Sequence, residues 1–153
     1  MCWMCDHPDA TFGDYVDEVL QPVIDRCGWA VQGVAGSAVR APFSYTVGLT
    51  LRGMPELVVT GKPLVEAGRI LNGAAQRSLA GPRALARAPG FEVVVLPHPE
   101  AHLFVATGLF GEHRVRALQL VWADEQGAWP WDAAHRGRQP VLGPRNPPAR
   151  KAG

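Results

Sequence analysis

Five short runs of strand-forming residues constrain this chain more than any other feature: WAVQGV (29–34), FSYTVGLTL (43–51), ELVVT (56–60), FEVVVL (91–96) and VRALQLVW (115–122). Each is long enough for one strand, and several are joined by connections too short to contain a crossover helix. Parallel neighbours require such crossovers, so a doubly wound parallel sheet is disfavoured. The pattern predicts an α+β domain, with a mixed or mostly antiparallel sheet of about five strands and two to three helices packed mainly on one face. In FSYTVGLTL the apolar positions Phe43, Tyr45, Val47, Leu49 and Leu51 alternate with small or polar ones, which places one face of that strand in the core. ELVVT follows the Arg52-Gly53 break as a candidate antiparallel neighbour.

Helical periodicity fills the gaps. Over residues 14–27, Val16, Val19, Leu20, Val23, Ile24 and Cys27 recur at helical spacing, and Gly28 follows where a C-cap glycine belongs. Cys27 on that stripe is expected to be a small buried core residue, and Pro22 should bend the helix or break it near Gln21. After Gly61-Lys62-Pro63, a second helix buries Leu64, Ala67, Ile70, Leu71, Ala74 and Ala75. The stretch 81–90 reads as a loop. Pro99 suits a first helical turn, and residues 101–110 either continue that helix or form a buried strand. One domain spans 1–137, beginning with an irregular cysteine-containing segment at 1–12. The Pro-, Gly- and Arg-rich tail at 138–153 has no periodicity and is expected to be disordered.

Composition narrows the partners. With 47% hydrophobic residues in 153, the chain can bury a real core. Fifteen basic against fourteen acidic residues leave a formal charge of +1, too little to hold nucleic acid or an anionic membrane by its overall field. There is neither a secretory leader pattern nor an apolar run of membrane-spanning length, so the expected compartment is the cytoplasm. Acidic residues are concentrated between Asp6 and Asp25, and after Asp132 every charged residue is basic. The two ends thus offer contacts to a protein partner or to a second copy of the chain.

The blocks MCWMCD, GWAVQGV, PFSYTVGLT, PELVVTG, LN, HPEAHL, ALQLVWAD and WPW, taken in this order, resemble a bacterial family known only as a domain of unknown function, of DUF4262 type. The resemblance runs from Cys2 to about Gly143. It implies a compact α+β domain and no activity, cofactor or catalytic residue to carry over.

Three constellations bear on chemistry. Cys2 and Cys5 form a C-x2-C pair of the kind that grips zinc, which in a reducing compartment is more often a metal or redox motif than a disulfide. A closed tetrahedral site needs two more ligands, and His98 and His102 in PHPEAH would share one face if that segment were helical. Asp6, His7 and Glu100 would then orient the ligands or replace one. Alternatively, removal of Met1 would expose the Cys2 α-amine beside its thiol, the arrangement of an N-terminal-cysteine hydrolase. Thirdly, Trp122, Trp129 and Trp131 with Tyr45, Asp124 and His135 have the composition of a small-molecule pocket, although tryptophans also serve as ordinary packing. The glycines of GWAVQGVAG have the wrong spacing for a dinucleotide loop, and Ser44 and Ser78 lie in no nucleophile elbow. The leading expectation is a zinc-binding domain of structural or regulatory role. A metal-free interaction module and a small-molecule-binding protein are the alternatives.

Overall fold

A five-stranded mixed sheet in the order β1-β2-β3-β5-β4 organises the computed structural model, which describes residues 3–87 and 89–145. Strands β1 (Ala30–Val34), β2 (Phe43–Val47) and β3 (Glu56–Thr60) form an antiparallel meander. The chain then crosses to the far edge, lays down β4 (Phe91–Val95), and returns as β5 (Ala117–Trp122) between β3 and β4. β5 is parallel to β3, with Glu56 opposite Ala117, and antiparallel to β4. The single parallel pair is the one whose connection is long enough to contain helices, as parallel pairing demands.

The helices divide between the two faces of the sheet, a fuller cover than helices mainly on one. Because side chains alternate along a strand, Tyr45, Val47 and Val58 meet Leu20, Ile24, Leu103 and Ala106 on one side. Leu57, Val59 and Leu120 meet Ala67, Leu71, Ala75 and Leu85 on the other. Double coverage explains why ELVVT is apolar without alternation, and why four residues of β2, Ser44 to Val47, are all buried rather than every second one.

The N-terminal helix is built in pieces. α1 (Trp3–Asp6) lies in the stretch expected to be irregular. α2 (Phe12–Tyr15) begins at Thr11, whose hydroxyl accepts from the Asp14 amide while the Asp14 carboxylate accepts from the Thr11 amide, a reciprocal capping box. A π-helical turn at Val16–Leu20 leads into α3 (Gln21–Cys27). Pro22 has no N–H to donate, and the wide turn admits its ring. That turn also shifts the phase of the apolar stripe. Val16, Leu20 and Ile24 stay buried while Cys27 is exposed, contrary to its sequence reading as a core residue. Gly28 caps the helix in the left-handed region, as its position predicts.

β2 is shorter than the alternation in FSYTVGLTL predicts. The chain leaves the sheet at Gly48, whose φ of +133° and approach to the Gly28 carbonyl exclude a side chain. It then makes a 3-10 turn at Leu49–Arg52 that buries Leu49 and exposes Leu51. The turn is held by Glu56, the first residue of β3. Its fully buried carboxylate accepts from the Thr46 and Thr50 hydroxyls and from the amides of Gly48, Leu49 and Thr50. Burial nevertheless raises its pKa, against the lowering effect of those hydrogen bonds.

α4 (Leu64–Ser78) follows the predicted stripe except at Leu64, which is exposed. The presumed loop at 81–90 contains α5 (Pro82–Ala86), which buries Leu85. Beyond β4, a three-residue 3-10 turn (Pro99–Ala101) and α6 (Phe104–Phe110) resolve the helix-or-strand ambiguity in favour of an interrupted helix. Residues 138–145 carry no helix or strand, yet they are packed as a strap across the carboxyl ends of β3 and β5. Gln139 bonds both the amide and the carbonyl of Trp122, the Pro140 carbonyl accepts from Thr60 and Gln119, and the Leu142 amide donates to Gln119. Gly61, at φ +77°, lets the strap through, since a Cβ there would collide with the Arg138 carbonyl oxygen. The rest of the predicted tail, residues 146–153, lies outside the described residues.

Candidate functional site

Cys5, the described half of the N-terminal cysteine pair, forms no metal-ligand group with His98 and His102. Cys2 lies outside the described residues. Cys5 and Asp6 sit exposed on α1, and His7 folds back so that its ring stacks on Trp3 at 4.3 Å and its Nδ1 hydrogen-bonds the Trp3 carbonyl at 2.9 Å. His98 and His102 do not share a helical face. Both have φ of −132°, on either side of the 3-10 turn that Pro99 opens. The turn ends because the next residue, Leu103, is pulled fully into the core. His98 is exposed and pairs with Glu100 at 3.1 Å. Glu100 keeps its carboxyl below the usual range through a hydrogen bond to its own backbone, with further help from His98 and His102. Among the described residues no three His, Cys, Asp or Glu side chains are grouped to hold a metal ion, so Cys5, His98 and His102 stay apart.

The predicted aromatic pocket splits into three. Tyr45 is buried on the α6 side, where its hydroxyl accepts from the Val105 amide at 3.0 Å and burial pushes its pKa up to about 12. Trp129 and Trp131 stack on each other at 5.7 Å, with the Arg145 guanidinium 4.2 Å over Trp131. Trp122 and Asp124 do line a common cleft of about 470 Å³, with Lys62 and Arg136. Two of its charged groups, Lys62 and Asp124, already have partners. The Lys62 ammonium lies 4.0 Å above the Trp122 ring and 2.9 Å from Glu66. Asp124 accepts from the amides of Gln126, Ala128 and Arg136, and these bonds, the one from Arg136 foremost, hold its carboxyl below the usual range. His135 stands behind it, its side chain 6% exposed and its Nδ1 donating to the Ala128 carbonyl at 3.0 Å. Its Nε2 has no hydrogen-bond partner among the described residues.

A second cleft, of about 270 Å³, opens on the other side of the strap. Four segments far apart in sequence build it: Arg40 to Phe43 before and at the start of β2, Thr60 at the end of β3, Ala101 to Phe104 at the break before α6, and Pro140 and Leu142 of the strap. Phe43, Ala41 and Leu142 give it apolar walls, and the half-buried His102 is the one sequence-predicted ligand residue that lines it. The loop before Arg40 is fixed by Ser37, whose hydroxyl accepts from the Val39 and Arg40 amides, and by Arg138, which donates to the Ala38 carbonyl at 3.2 Å. Neither the Arg40 guanidinium nor the His102 ring makes a hydrogen bond or ion pair with a described residue, and no carboxylate lines the cleft among the described residues.

Sequence reasoning missed Arg40, Phe104 and Glu56. Glu56 did carry a signal, a lone charge inside a run buried on both faces, where a carboxylate is tolerated only when hydrogen-bonded. Arg40 carried almost none, because a single cation in an irregular stretch is ordinary surface composition.

The family model for a domain of unknown function (DUF4262) matches residues 23–136, and the chain belongs to that family. The match is narrower than the resemblance read from Cys2 to Gly143. It includes Arg40, Thr60, His102 and Asp124 and excludes the MCWMCD segment. No curated protein and no solved structure matches the chain. Among the described residues no helix is long and apolar enough to cross a membrane.

Proposed function

From a family without assigned chemistry, we propose that this domain binds a small organic molecule in the cleft between Arg40 and His102. One observation carries the reading: segments from four places in the chain converge on apolar walls and leave the exposed Arg40 guanidinium and the His102 ring there without a hydrogen-bond or ion-pair partner among the described residues. Few polar groups converging on an apolar concavity is the usual construction of a ligand site. The Asp124 cleft is larger and more polar, and its Asp124 and Lys62 are committed to the fold. The zinc expectation for Cys2 and Cys5 is carried by the sequence spacing alone, with Cys5, His98 and His102 apart, so the cleft is the better-supported site.

The test is a fragment screen followed by nitrogen-proton correlation spectroscopy on the full chain. Bound fragments should shift the amides of Ala41, Ala101 and Phe104. Ala101→Trp, which places an indole in the mouth of the cleft at an exposed position, should abolish those shifts and leave the melting temperature unchanged. Fragments that bind equally well to Ala101→Trp, or whose shifts map elsewhere, would refute the assignment.

A further inference from the structure

We infer that the occupant of this cleft is a small carboxylic acid, its carboxylate set against Arg40 and His102 and its apolar body against Phe43 and Leu142; the inference rests on the binding reading above. Charge comes first. The cleft holds one permanent cation and one imidazole and is lined by no acid among the described residues. The nearest carboxylate on the same turn, Glu100, is turned to His98 at 3.1 Å. Arg138, the other cation against this loop, donates to the Ala38 carbonyl and does not line the cleft. A neutral ligand would leave the Arg40 guanidinium without a counter-charge, whereas a carboxylate matches its planar fork with two parallel hydrogen bonds.

Size comes next. A volume of about 270 Å³ equals that of roughly nine liquid waters at about 30 Å³ each. That admits a carboxylate on one ring or a short chain. One guanidinium balances a monoanion, whereas a phosphate dianion would call for more permanent positive charge than the walls supply. The Thr60 hydroxyl is not available for a further contact, since it donates to the Pro140 carbonyl and accepts from Gln119. Phe104, 66% exposed at the edge of the cleft, offers a ring to cover the ligand's apolar end.

The experiment titrates the full chain with benzoate, benzamide, phenyl phosphate and benzylamine, following the cleft amides by correlation spectroscopy. Benzoate should bind more tightly than benzamide and phenyl phosphate by about tenfold, the scale of one charge-assisted bidentate contact, and benzylamine should not bind. Arg40→Gln should remove that advantage, leaving benzoate and benzamide equal. Equal binding of benzoate and benzamide to the unmodified chain would overturn the acid assignment and leave the cleft a ligand site. Preference for phenyl phosphate or benzylamine would do the same. If none of the four shifts the cleft amides, both the acid assignment and the binding reading fall.

Discussion

The two clefts flanking the strap show how differently one end of a sheet can use its charges. Both lie where β3 and β5 end, and the Trp122 indole N–H donating to the Thr60 carbonyl at 2.9 Å ties their floors together. In the Asp124 cleft two charged groups are structural: the Asp124 carboxylate collects three amides from the loop that follows it, and Lys62 is divided between Glu66 and Trp122. In the Arg40 cleft the hydrogen bonds of the fold are made by Thr60, Gln119 and backbone groups, and the Arg40 guanidinium is left over. A charge that closes a loop costs stability when it is removed. A charge that closes nothing costs only whatever it was there to bind.

That contrast is sharpest at its committed extreme. Glu56 has five donors and no solvent, so Glu56→Leu leaves the amides of Gly48, Leu49 and Thr50 buried without acceptors, and should cost about 3–5 kcal/mol in chemical denaturation. Its pH behaviour carries a definite sign. Because the folded pKa is raised above the unfolded value of 4.5, this group favours the fold most below that value, and its contribution weakens as pH rises from there toward the folded pKa. A variant with unchanged stability would mean that the 3-10 turn is held by packing alone.

Gln119 tests whether the strap truly separates the clefts. Its amide bonds Thr60, the Pro140 carbonyl and the Leu142 amide from a fully buried position in β5. Gln119→Leu keeps the volume and strands the strap's polar groups, which should cost about 2–3 kcal/mol and raise hydrogen exchange at Leu142. Unchanged protection at Leu142 would show the strap docked by its apolar contacts.

These groups also show what the sequence could and could not disclose. The sheet was legible because ELVVT and FEVVVL are short apolar runs bounded by breakers, and helix α4 because its stripe is regular. The break between His98 and His102 was not legible, because the deciding event is tertiary: Leu103 enters the core and overrides a pattern that reads as continuous helix. Cys27 was misplaced for a related reason, since a π turn alters the period on which burial is inferred. The strap looked disordered because its order comes from Gln119, Thr60 and Trp122, residues of distant strands, rather than from any local propensity. The candidate site shared that fate. His102 was singled out for a metal, and only the fold sets it beside Arg40.

Asp124 is a smaller test, with a pH dependence opposite to that of Glu56. Asp124→Ala removes the acceptor for three loop amides and should lower the melting temperature by several degrees at pH 7. Its folded pKa lies below the unfolded value of 3.8, so its contribution is fully present above that value and is lost as pH falls through the folded pKa. The difference between the unmodified chain and Asp124→Ala should therefore narrow in strong acid. A difference that persists there would mean that the Asp124 side chain holds the loop without its charge.

Arg40 should give the smallest effect on stability, and that smallness is the point. Its guanidinium touches no described partner, and the loop that presents it is fixed through Ser37 and backbone atoms, which a substitution at the side chain leaves intact. Arg40→Gln should change stability by no more than about 0.5 kcal/mol, or about 2 °C in the melting temperature of a chain this size. A ligand that uses the cation would separate the two proteins only when it is present: with saturating benzoate the unmodified chain should gain stability by mass action, and Arg40→Gln should gain much less. A large loss without ligand would reverse the comparison. It would place Arg40 with Asp124 and Glu56 among the charges that hold the fold, and leave His102 alone to mark the cleft.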